Sequence, residues 1–581
     1  YVLAPPPRYP WEGDSNPLLQ SLSRFLIRVK PAPHRYAMLK PFQRAPHLQS
    51  EFCSACHKVS LSEPFDNYRW FRGFDTWDEY QDSGVSGFSA RSFYQPAHPM
   101  ECADCHMPMV ASQDFGNIAG FVHSHRFPAA NTALPTVKGC PEQLAITRKF
   151  LQGTVTVDLF AAGDPNATVM QAPMESAPIT VRPGHKLRVD LVVRTRGVGH
   201  AFPSGTTDAV ETWTEFKATD ARGRIIFWSG FTRPDGTVDP TAHFFHTVLV
   251  DQHGNKIDKR NAWQRRATVY NEAIPPGAAK VVRYRMDIPK DAKLPLTLEA
   301  HLWYRKFDSY FNRFSFDGHV DTRDPQALTR YDKGWDDRPW RIDGDKHPDI
   351  AAVAISSARV QLGPGAHNQA PPWPLWQRYN DYGIGMLLAT DYRLADWAWE
   401  AVTKLNPGDA DGYVNRARAA LGEGSDAEAR QWLERALKLD PTFYKAHYFM
   451  GLVDKNAGRY EDAARELESV AARFPEDRVV HNVLGRLYLL LGQYDQAIAH
   501  YHRVLDIDPQ DMTAHQGLML SYDGKGDDRM AREHEARFLR FRPEETETQY
   551  NEPYLLAHPH ENVEAQPIHE HISGDWQHAG H

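Results

Sequence analysis

The sequence predicts a multidomain chain of three successive parts: a mostly irregular and α-helical N-terminal domain, a central antiparallel β-sandwich, and a C-terminal α-solenoid of repeated helix pairs. Three observations predict it. All five cysteines lie at or before Cys140. Short alternating apolar segments, separated by turn signals, fill the stretch from about Gly153 to Leu362. Beyond Pro374, proline recurs every 34 residues. The corresponding boundaries are 1–150, 151–365 and 374–545, followed by a histidine-rich 546–581 tail read as an extended strapping segment. Length agrees, since 581 residues exceed what one hydrophobic core accommodates.

Composition narrows the function classes. Net charge is -8 and no dense Lys/Arg run occurs, so the electrostatic footprint of nucleic-acid binding is missing. No run of 18 or more apolar residues is present, which argues against a membrane span. The chain opens on Tyr1 without a charged-then-apolar leader, as expected of a processed chain or of a piece of a longer one. Neither a GxxxxGK[ST] nucleotide loop nor a GxSxG elbow occurs.

In the first domain, Cys53-Ser54-Ala55-Cys56-His57 and Cys102-Ala103-Asp104-Cys105-His106 both have the CxxCH spacing of c-type haem attachment. Two thiols separated by two residues lie about one helical turn apart, which matches the two vinyl groups they add to, and the next residue can ligate iron. His57 and His106 are therefore the expected proximal ligands of two haem c groups. The competing readings are redox disulfides or a single zinc site. With 28 His in the chain, His follows both pairs by chance in roughly one of 400 cases, and the gap between motifs is long for a zinc ribbon. Thioether attachment takes place on the outer side of the plasma membrane, so a periplasmic or cell-surface location is expected.

Whether the sixth iron position is filled separates electron transfer from small-molecule activation. The candidate distal ligands are His34, His47, His98, His123 and His125, with His125 the first choice because it lies in an aromatic and basic cluster. Met107 and Met109 follow His106 too closely for that role and are expected to pack. The run Tyr68 to Trp77 interleaves aromatics with Arg69 and Arg72, which suits porphyrin cover and propionate pairing or an ordinary core face. Cys140 is expected to be a buried free thiol without a role.

In the middle of the chain, strands are expected at Val155 to Leu159, Leu187 to Val193, Val210 to Ala218, Ile225 to Gly230, Val281 to Met286 and Leu296 to Tyr304. The loop Gly199-His200-Ala201-Phe202-Pro203 fixes a histidine where it can reach a haem, making His200 a further distal candidate. Asp208, Glu211, Glu215, His243 and His246 are too scattered for a spacing argument, and no metal is assigned to them.

Pro407, Pro441, Pro475, Pro509 and Pro543 set a 34-residue period, and Ala395, Ala429, Ala463, Ala497 and Ala531 repeat in the same register. That is the tetratricopeptide period, here with five repeats, each burying its apolar face on its neighbours. Gly383, Gly451 and Gly485 mark a second small position.

Several strings together, among them Phe52-Cys53-Ser54-Ala55-Cys56-His57-Lys58, Cys102-Ala103-Asp104-Cys105-His106-Met107-Pro108, Ser124-His125-Arg126-Phe127 and Gln566-Pro567-Ile568-His569-Glu570-His571, resemble bacterial multihaem c-type cytochromes with tetratricopeptide repeats. The resemblance implies periplasmic or surface electron transfer, with the repeats binding a redox partner, other cytochrome subunits or a second copy. Relatives often carry further CxxCH sites upstream, and this sequence has none. Two other function classes stay open: a haem oxidoreductase with one open coordination position, as in nitrite or hydroxylamine chemistry, and a scaffold subunit of a larger redox assembly.

Overall fold

The computed structural model describes residues 11, 14–30, 48–62, 70–114, 117, 119–168, 170–317, 349–542 and 547–578. Among the described residues no helix is long and apolar enough to cross a membrane.

The central region is β-rich, and its alternation follows the pleat: the strand Leu296–Arg305 buries every second residue along most of its length. One sheet has the order Glu570–His571, Ala279–Asp287, Lys186–Arg194, Thr156–Gly163. The other has the order Val353–Leu362, Leu296–Arg305, Glu211–Thr219, Ile225–Ser229, with His243–Phe244 also paired to Glu211–Thr219. Val189, Leu191 and Tyr284 of the first sheet and Phe216, Leu298 and Leu302 of the second share one core. One pairing departs from the antiparallel expectation. Glu570–His571 runs parallel to Ala279–Asp287, with Tyr284 opposite His571.

Ten helices from Leu375–Leu388 to Asp528–Phe541 form five successive pairs. The repeated alanines explain how closely each pair packs, since Ala395, Ala429, Ala463 and Ala497 are fully buried and Ala531 nearly so. The small glycine position has the same cause: an added Cβ would come within 2.7 Å of Trp399 at Gly383 and 2.7 Å of Tyr501 at Gly485. Asp391, Asp409, Asp477, Asp511 and Asp527 cap helix starts by accepting backbone N–H bonds. Pro543 lies outside the described residues.

The array is fastened to the rest of the chain. Its first helix shares the central core through Tyr382, whose hydroxyl donates to Asp190 at 2.8 Å, and through Arg378, which pairs with Asp158 and Glu175. The segment between the cysteine motifs packs against several of the repeats. The Ala90 N–H donates to Asp477 at 2.8 Å, the Arg418 guanidinium sits 3.5 Å from the centre of the Phe93 ring, and Trp70 packs edge-on against Phe541. An ion cluster closes this contact. Asp508, its side chain 2% exposed, receives Lys58 at 2.9 Å, Arg72 at 3.0 Å and Arg478 at 2.9 Å, while Asp78 also takes Lys58 and Arg72.

The tail is not extended throughout. Thr548–Ala557 and Pro559–Glu564 are helices. Tyr554 packs with Val248, Val250, Ala267 and Tyr270, and this small apolar cluster pulls the segment into helix despite Pro553 inside it.

Candidate functional site

The two cysteine motifs fold as short helices held side by side. Cys53 and Cys56 lie on the helix Leu48–His57, which ends at His57, and the second motif is the single-turn helix Cys102–His106. Ser50 joins them, because its hydroxyl donates to Glu101 and accepts the Cys102 N–H at 2.9 Å. The Cys53 and Cys102 thiols also interact. That interaction holds Cys53 down to about 7, against an opposing push from burial, and it drives Cys102 upward.

His106 sits on a defined tether. Its Nδ1 lies 2.8 Å from the Pro128 carbonyl, which takes the Nδ1–H and leaves Nε2 as the free lone pair. Across from it stands His200, whose Nδ1 lies 2.8 Å from the Ala201 carbonyl, so the same tautomer follows. The two ring centres are 6.2 Å apart with planes inclined by 14°. Imidazoles on opposite sides of one metal ion, each bonded at roughly 2 Å, require ring centres about 6 Å apart. The observed separation of the two rings matches that spacing. Burial pushes the His200 imidazole down to about 4 and keeps it neutral, the ligating form.

The His200 loop belongs to the central region, where Phe202 and Ile274 exchange backbone bonds of 2.9 and 2.8 Å. Glu79 anchors it from the N-terminal side by accepting the Ala201 N–H at 3.1 Å and the Ser204 hydroxyl at 3.2 Å. Burial and the neighbouring Asp75 raise Glu79 to about 7. Gly199 is required by close approach, since a Cβ there would meet Val85 at 3.3 Å and Tyr80 at 3.4 Å.

The other expected ligands are placed elsewhere. His98, His123 and His125 are exposed. The His123 Nδ1 is bound to the Met107 carbonyl at 2.7 Å, and His125 stands edge-on to Phe127. His34, His47 and Arg69 lie outside the described residues. His57 packs edge-on to Phe74, and partial cover of its ring first and His106 second lower its imidazole. Arg72, read as a propionate partner or as part of an ordinary core face, is committed to Asp78 and Asp508. Trp77 is a core residue beside Tyr80 and Val85. Cys140 is exposed rather than buried, because it occupies the start of the helix Pro141–Leu151 where the chain arrives over a surface turn. In and after the motifs Phe52, Met109, Val110, Phe121 and Phe127 are exposed.

Glu211 is paired with Arg305, Glu215 accepts the indole N–H groups of Trp228 and Trp303, and His246 is bonded to the Tyr270 hydroxyl at 3.1 Å, all structural uses. Among the described residues, the four motif thiols do not converge as a zinc-ligand set.

Residues 389–442 and 456–521 match a family described as tetratricopeptide repeat. The C-terminal helix pairs are tetratricopeptide repeats. Such repeats serve protein–protein interaction. Among solved structures the chain is similar to a crystal structure of MamA at 24% identity and TM-score 0.27, covering 30% of this chain and 95% of that one. A MamA structure labelled MSR-1 gives 25% identity and TM-score 0.26 over 29% of this chain and 95% of that one. MamA from Desulfovibrio magneticus RS-1, residue 41 to its end, gives 23% and 0.27 over 29% and 97%. No curated protein matches the chain.

Proposed function

We propose that the chain is an extracytoplasmic multihaem c-type cytochrome, with haem c attached at Cys53, Cys56 and His57 and at Cys102, Cys105 and His106, and that the tetratricopeptide repeats bring a redox partner, another cytochrome subunit or a second copy to it. The observation that carries this reading is the pairing of His106 with His200 at 6.2 Å, beside two thiols with attachment spacing. Bound at these residues, haem c supplies a one-electron couple, and a filled sixth position makes transfer rather than substrate activation the use of it.

The chain's own residues prepare that state. Pro128 and Ala201 carbonyls fix both imidazole tautomers, as outer partners of metal-bound histidines do. Glu79 holds the loop that carries His200. Ser50 keeps the two motif helices adjacent, which shortens the path between sites. Attachment on the outer side of the plasma membrane gives the periplasmic or cell-surface location.

His200→Ala tests the reading. Haem content by pyridine haemochrome should stay at two per chain, while visible spectra should show one of the two centres becoming high-spin and binding carbon monoxide. His123→Ala and His125→Ala should leave the spectra unchanged. A denatured band without covalent haem, or a His200→Ala spectrum identical to wild type, refutes the proposal.

A further inference from the structure

A separate group of imidazoles lies away from the cysteine motifs. His243, Glu564, His569 and His571 point one ligand atom each into a common centre, all within 4.8 Å of one another. The sequence hides this group, because His243 is on a strand of the central region and the other three arrive from the tail. His569 and His571 are two residues apart on the segment that pairs with Ala279–Asp287, a spacing that turns both rings to one face of a strand.

The group is buried and its hydrogen bonds are unmade. Side-chain exposure is 1% for His243, 8% for Glu564 and 4% for His571. The Nε2 atoms of His569 and His571, both ring nitrogens of His243 and one oxygen of Glu564 have no hydrogen-bond partner. Glu564 comes within 3.0 Å of the His243 Nδ1, but without hydrogen-bond alignment. Leaving buried polar atoms bare is unfavourable, so a cluster of this kind suits an occupant.

The outer contacts are those of metal ligands. His569 Nδ1 is bound to the Gln566 carbonyl at 2.8 Å and His571 Nδ1 to the Thr241 carbonyl at 3.0 Å, which leaves both Nε2 lone pairs aimed inward. Of the nearby charges, Lys280 is paired with Glu272 and Arg283 with Asp190, which leaves the Glu564 carboxylate facing the three imidazoles. We propose that His243, Glu564, His569 and His571 form a binding site for a first-row divalent transition-metal ion of the Zn²⁺ class, which clips the chain's tail to the central sheets. Three imidazoles and one carboxylate suit such an ion, whereas Ca²⁺ and Mg²⁺ take oxygen ligands.

Full-length protein, stripped with a chelator, is titrated with Zn²⁺ against a chromophoric competitor and assayed for bound metal by mass spectrometry. One Zn²⁺ per chain is expected, together with slower proteolysis of the tail in the loaded form. His571→Ala and Glu564→Gln should each weaken binding by more than about 100-fold with circular dichroism unchanged, beyond the loss typical of an outer-shell change. His560→Ala, an exposed tail histidine outside the cluster, should bind as wild type. Co²⁺ in place of Zn²⁺ should give visible bands without thiolate charge transfer, which separates this site from the cysteine motifs. Absence of stoichiometric binding, wild-type affinity in both variants, or a thiolate band overturns the assignment. None of these readouts depends on haem.

Discussion

Asp508→Asn removes the charge on which Lys58, Arg72 and Arg478 converge and keeps the side chain's size. Burial alone would raise this carboxyl, but the three cations outweigh it and hold it down to about 2 from an ordinary 3.8. That difference corresponds to ~2.5 kcal/mol at neutral pH. Breaking one partner out of a buried ion cluster costs about 3–5 kcal/mol, and the second carboxylate, Asp78, reduces the loss because it still engages Lys58 and Arg72. The expected destabilisation is therefore about 2–4 kcal/mol. Urea unfolding followed by circular dichroism and by Trp fluorescence should show a lower midpoint, with the Trp70 contact to Phe541 released early. The pH dependence has a fixed sign. A depressed carboxyl stabilises the folded state above its unfolded value, and that contribution is lost as pH falls from 3.8 through about 2. The variant should lack this acid-labile part, and because Lys58 follows His57 its undocking should also disturb the first motif. Equal midpoints at pH 7, or an unchanged acid profile, would show that the cluster does not hold the array in place.

Glu79 gives the opposite sign. Its carboxyl is raised to about 7, so the protonated form contributes stability that is full below the ordinary 4.5 and is lost as pH rises through about 7. Glu79→Gln should flatten thermal stability across that window, removing a fall of up to ~3 kcal/mol, as read by Tm against pH. In the repeats, Gly517→Ala would set a Cβ 2.1 Å from the buried Tyr501 ring and should cost about 1–3 kcal/mol in urea unfolding. Gly408→Ala, with open space around it, should change stability by less than about 0.5 kcal/mol.

Much of the fold is legible in the sequence because its causes are local and periodic. The 34-residue proline and alanine register marks every helix pair of the array, since each repeat meets only its neighbours. The strands Lys186–Arg194, Glu211–Thr219 and Leu296–Arg305 follow their alternating runs to within a residue or two. What was not legible depends on contacts between distant segments. The Gly-His-Ala-Phe-Pro loop marks His200, but nothing near it in the chain says which ring it faces, and proximity in sequence to a CxxCH motif favours His123 and His125 instead. His243 is invisible as a ligand until the tail is laid beside it. The tail helices escaped because Pro553 and the many histidines suggest irregular chain, while Tyr554 acts only through partners near residue 250.

The parallel strand Glu570–His571 has a consequence for biogenesis. Its partner, Ala279–Asp287, stays an edge of its sheet until residues 570–571 are made, because every repeat is made first. At ~5–20 residues per second that interval lasts tens of seconds, during which an open ladder of N–H and C=O groups is offered to any passing chain. Residues 570–571 act as a late seal on that edge. A nascent molecule released short of residue 570 would carry complete cysteine motifs and a complete array, yet leave that sheet edge unguarded.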